Sequence, residues 1–162
     1  MTKPKTFTIK AGRRFPGFSR FRIIFRNEVS FVYRVSQAAM YNYNLVVNDW
    51  HRIVGLSASS PLSSSCQLAF INNGYGLQCG FICWDNGRRS VQPVTRIVPG
   101  KAYHIRISRS NGGYTIIHTT EEGIVSRHTA PAKRARPWQF LLLPRLGGNF
   151  TLDNDLVVTL IK

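Results

Sequence analysis

The sequence predicts an all-β chain folded as an antiparallel two-sheet β-sandwich. Three observations carry this. Apolar and polar residues alternate over short stretches, turn residues recur roughly every eight to twelve positions, and no long segment shows helical spacing of apolar residues. About ten to eleven short strands result, with a basic N-terminal arm over 1–14 and one sandwich domain over 15–162.

Taken in order, FTIK (7–10) is a short strand candidate within the basic arm. From Phe18 to Arg26 the alternation sharpens, with Phe21, Ile23 and Phe25 expected on the core face. Arg20, Arg22 and Arg26 are then expected on the solvent face. Val29, Phe31, Tyr33 and Val35 align in the next strand. MYNYNLVVNDWHRIVGLSAS reads as two strands joined near Asn48-Asp49, followed by a Ser/Pro-rich surface loop over 57–65. CQLAFIN leads to a strand with Leu77, Cys79, Phe81 and Cys83 on one face. Asn86-Gly87 then marks a hairpin, because both residues tolerate positive φ.

Beyond a Pro99-Gly100 turn, Tyr103, Ile105 and Ile107 are expected inward, with His104 and Arg106 outward. Turns at Asn111-Gly112-Gly113 and Glu121-Glu122-Gly123 bound two further strands, and PAKRARP (131–137) reads as a loop. WQFLLLP, apolar throughout, and DLVVTLIK complete the set.

The charge balance points to an acidic partner. Lys and Arg number 22 against 7 Asp and Glu, a net charge of +15. No acid precedes Glu28. The candidate acidic-partner surface is Arg13, Arg14, Arg20, Arg22 and Arg26, with a second cluster at Lys133, Arg134 and Arg136. Nucleic acid is one polyanion that would suit it, although no recognised binding signature is present. A second candidate is a glycan platform of Tyr41, Tyr43, Trp50, Tyr75 and Trp84, residue types that also fill sandwich cores.

Reactive groups give less. Cys66, Cys79 and Cys83 read as buried small side chains in a reducing compartment. The histidines form no metal-ligand spacing. Asp153 and Asp155 share a strand face but stand beside a Gly-Gly turn. With no nucleophile motif and no phosphate-binding loop, the expectation is a non-enzymatic protein without cofactor or metal. No apolar run reaches membrane-span length, and MTKPKTFTIK lacks a signal-peptide core.

NDWHRIVGLS (48–57), SCQLAFI, WDNGRR, IVPGKAYHIRI and LPRLGGNFTLDNDLVVTLI occur in that order. The series resembles small concanavalin-like jelly-roll proteins encoded by Bacteroidetes and their tailed phages. The resemblance implies a jelly-roll sandwich that binds rather than catalyses. It also implies a virion component, assembled in the bacterial cytoplasm as a homo-oligomer or part of a larger assembly, whose acidic partner is the capsid or a neighbouring subunit. A lectin-like glycan-binding module is the alternative.

Overall fold

The computed structural model describes residues 4–17, 21–40, 49–59, 61–132, 138–147 and 151–162. Among these, twelve strands form two six-stranded antiparallel sheets. The first sheet has β1 (Lys5–Ile9), β12 (Leu156–Ile161), β3 (Glu28–Val35), β8 (Tyr103–Ser110), β9 (Gly113–Thr119) and β10 (Val125–Pro131), in that spatial order. The second has β2 (Phe21–Ile24), β11 (Gln139–Leu142), β4 (His51–Ser57), β5 (Ser64–Asn72), β6 (Leu77–Asp85) and β7 (Arg88–Ile97). The stretch expected as a basic arm supplies β1, whose Phe7 and Ile9 are buried.

The alternating residues enter the core as their spacing requires. Tyr103, Ile105 and Ile107 from β8 meet Leu77, Cys79, Phe81 and Cys83 from β6 in one apolar cluster. The β6–β7 turn uses Asn86 at φ 49° and Gly87 at φ 81°, the left-handed backbone that a tight hairpin demands. On the outer face of the first sheet, His104 is exposed and its Nε2 lies 2.7 Å from Ser30 Oγ.

β2 departs from expectation. Phe21, Ile23 and Phe25 are 47%, 58% and 78% exposed, not buried. The register explains this. Leu141 of β11 faces Leu56 on the core side and Arg22 on its other flank, so Arg22 shares the inner side. Phe21 and Ile23 therefore turn to the sheet's outer face, where Phe21 meets Phe140 edge-on at 4.7 Å. In a strand, a one-residue change of facing exchanges every side chain. β2 is the edge of its sheet, where the inner side opens on a mouth rather than on packed core.

The cysteines are closer to chemistry than their spacing implies. Cys66 and Cys83 are direct cross-strand partners, with Sγ atoms 2.8 Å apart. Mild oxidation of the folded protein is expected to lower the free thiols from three to one, slowly, because the hydrogen-bonding contact with Cys83 and, after it, burial hold Cys66 well above the usual thiol range. The link would stabilise the fold by up to about 3 kcal/mol. Mass spectrometry checks it: Cys79 joined to either partner, or no bridge after prolonged oxidation, contradicts the register.

Candidate functional site

The outer face of the second sheet carries a cleft of about 410 Å³. Its floor follows from strand parity. Arg52 on β4 pairs with Ala69, Gly55 with Gln67, and Trp84 on β6 with Arg89, all turned away from the core. Gln67 lies across the middle, its Nε2 donating to Ser65 Oγ at 2.8 Å, and Ser65 donates to the Pro61 carbonyl at 2.6 Å. The Ser-rich loop is thereby tied to the floor, and its Pro61 and Leu62 form part of one wall.

Two glycines make room for these side chains. A Cβ on Gly55 would stand 2.8 Å from Gln67 Cγ, and one on Gly80 would stand 2.6 Å from the Trp50 indole. The benzo edge of the Trp50 indole therefore rests against bare backbone at Gly80, a close approach that strand glycines often permit. Trp50 and Trp84 are half-buried walls, and Phe15 and Phe21 extend the aromatic lining.

Two guanidiniums meet in the cleft. Arg52 and Arg145 are joined by reciprocal backbone hydrogen bonds of 2.8 and 3.0 Å, so the segment after β11 runs alongside β4. Arg52 Nε donates to the Leu143 carbonyl at 2.7 Å, and Arg145 stacks over Phe15 at 5.2 Å. Burial and the neighbouring Arg145 charge push Arg52 down to about 9. Behind the cleft, His51 Nδ1 accepts from the Gly147 amide at 3.0 Å, and burial pushes this imidazole down to about 4.

Of the expected glycan platform, Trp50 and Trp84 come together here. Tyr75 is 84% exposed at the β5–β6 turn, away from the cleft, and Tyr41 and Tyr43 lie outside the described residues. Of the cationic set, Arg13, Arg22 and Arg26 are exposed and Arg14 is half-buried. Arg20, Lys133, Arg134 and Arg136 lie outside the described residues. Asp155 is held by Lys10 Nζ at 2.6 Å and by the Ala11 amide at 2.9 Å, away from the cleft. No group of three or more metal-ligating side chains occurs among the described residues.

Arg52, Gln67, Arg89 and Arg145 are site residues that the sequence pattern does not single out. Gly55 and Gly80 inside strand patterns were the available signal, since each marks a close approach.

No family model matches the chain, and no curated protein matches it either. Solved structures do. An alginate lyase from Klebsiella pneumoniae superposes with a TM-score of 0.60 at 13% identity, over 83% of this chain and 57% of the lyase. A functionally unknown protein from Saccharomyces cerevisiae gives 0.62 at 13% identity, over 98% and 85% of the two chains. An alginate lyase from Alteromonas sp. 272 gives 0.56 at 9% identity, over 95% and 75%. The chain thus spans little more than half the length of the Klebsiella enzyme.

The shared feature is the jelly-roll-like two-sheet sandwich. None of these structures ties the chain to Bacteroidetes or phages. The expectation of a non-enzymatic protein is corrected here, because the same sandwich carries alginate lyases. Missing hydrolase and nucleotide motifs exclude only the chemistries those motifs serve. No helix among the described residues is long and apolar enough to cross a membrane.

Proposed function

We propose that the cleft binds a carboxylate-bearing polysaccharide. The observation that carries this reading is the pair of bridged arginines, Arg52 and Arg145, lining one cleft together with the Trp50 and Trp84 indoles. A guanidinium fork matches a sugar carboxylate, and an indole offers its face to the apolar side of a sugar ring. Arg89 extends the positive surface along β7, and Gln67 supplies an amide for hydroxyls. The alginate lyases that share the fold act on a glycan of this class, which supports the reading without assigning the same reaction.

Calorimetry with polyuronate and neutral glucan oligosaccharides of equal length tests it. The polyuronate is expected to bind at least tenfold more tightly, and Trp84→Ala to weaken it about tenfold. Raised salt should erode the preference. Equal affinity for both glycans, or none for either, removes the reading. Chain length after incubation shows whether the cleft also cuts what it holds.

Attachment to an acidic capsid surface is a second reading, supported by the exposure of Arg13, Arg22 and Arg26. Arg22→Glu with Arg26→Glu should then abolish particle attachment while leaving polyuronate binding intact.

A further inference from the structure

A second cavity, about 850 Å³, opens between the two sheets at the edge where β1 and β12 face β2 and β11. Its walls are apolar. Phe7 and Leu160 come from the first sheet, and Ile24 and Leu141 from the second. Both β1 and β2 are edge strands of four or five residues, too short to close the sandwich over them. The volume falls within the range of small-molecule sites.

The charged lining is mostly cationic, with Lys5, Arg22, Arg26 and Lys162 against Glu28. Lys5 on β1 and Arg22 on β2 stand across the mouth from each other, and Arg26 follows where the chain crosses between sheets. The carboxylate at this end, Glu28, is engaged by Arg106 Nε at 3.0 Å. Lys5 keeps its ammonium 5.6 Å from the Phe7 ring, at the boundary between slot and water. Burial and the Arg22 charge together lower the Lys5 pKa, so an anion placed between the two cations relieves their repulsion.

We propose that this slot binds a single long-chain fatty carboxylate, its alkyl chain between the sheets and its head group between Lys5 and Arg22. An apolar slot with a cationic mouth selects an amphiphile whose charged end is negative. A slot enclosed by two sheets admits one chain rather than a membrane surface. This inference is independent of the polysaccharide reading, since the two cavities share no lining residue.

Calorimetry of the whole chain with octanoate, decanoate and dodecanoate, all below micelle-forming concentrations, tests it. Affinity is expected to rise roughly threefold to fourfold per methylene added. Dodecyltrimethylammonium should bind at least tenfold more weakly than dodecanoate. Lys5→Glu with Arg22→Glu should reverse that preference, with circular dichroism confirming an unchanged fold. Ile24→Trp, which fills the slot from a half-buried position, should abolish binding of both amphiphiles. Absent dodecanoate binding, equal affinity for both head groups, or indifference to the charge reversal would each overturn the proposal. So would a dimer, seen by sedimentation, that occupies the slot and that dodecanoate does not dissociate.

Discussion

Acidifying the protein from pH 7.5 to pH 5 is expected to remove about 4 kcal/mol of stability, a substantial share of the roughly 5–15 kcal/mol that folded domains commonly have. His51 and His118 are both fully buried, and each is pushed down to about 4, mainly by burial. An unfolded histidine takes up its proton near pH 6.5, whereas these two stay neutral in the native state until about pH 4. Between those values the unfolded chain binds more protons, so stability is full above the upper one and falls as pH drops through the window. Each group contributes about 2 kcal/mol of the loss at pH 5.

The surroundings make protonation costly. His118 Nε2 lies 2.8 Å from Tyr33 Oη and its ring stacks on Tyr103, while its Nδ1 has no hydrogen-bond partner among the described residues. His51 Nδ1 already accepts the Gly147 amide, a bond that an imidazolium cannot keep. Asp155 is depressed by its hydrogen bonds from Lys10 and Ala11, so its contribution is lost only at lower pH, within the carboxylate range. Urea titrations at the two pH values measure the effect, and His118→Asn should roughly halve the slope. A midpoint unchanged between pH 7.5 and pH 5 would show that the native state admits these protons freely.

The elements legible in the sequence are those whose two faces meet different solvents. β8 alternates because one side is core and the other is not, β6 keeps Leu77, Cys79, Phe81 and Cys83 on its core side although Gly80 and Ile82 opposite are covered as well, and Asn86-Gly87 names its own turn. β2 has the same alternation, yet its apolar side faces outward rather than into the core. Its pattern fixes which residues share a side, but not which side meets the core, and at an edge strand both are partly wet. The cleft was less legible still. Arg52 and Arg145 are far apart in the chain and meet only through an isolated bridge. Arg52 sits in HRIVGLS, where β4 is buried throughout and shows no alternation to separate floor from core. Of the cleft's aromatic walls, Trp50 and Trp84 were nameable from residue type alone, whereas Phe15 and Phe21 required the register of β2 and the path of the preceding segment.

Gly80→Ala is expected to weaken polyuronate binding tenfold or more while the chain still folds. The added Cβ would stand 2.6 Å from two atoms of the Trp50 ring and 3.0 Å from the Gln92 carbonyl oxygen. The carbonyl belongs to the β6–β7 ladder and has little freedom, so the indole must move. Its backbone cannot follow, because Trp50 O is already so close to Gly147 that a Cβ there would lie 2.4 Å away. The ring is therefore expected to rotate off the sheet and into the cleft that Trp84 and Arg52 also line. Overpacking of this kind costs roughly 1–3 kcal/mol of stability. The loss of affinity follows separately, since a displaced indole no longer presents its face to a sugar ring. Trp50→Ala in the Gly80→Ala background should restore the lost stability without restoring binding, which separates the steric effect from the recognition it disrupts. An alanine at 80 that leaves both tryptophan fluorescence and polyuronate affinity at the parental level would mean that Trp50 is not a wall of the binding cleft.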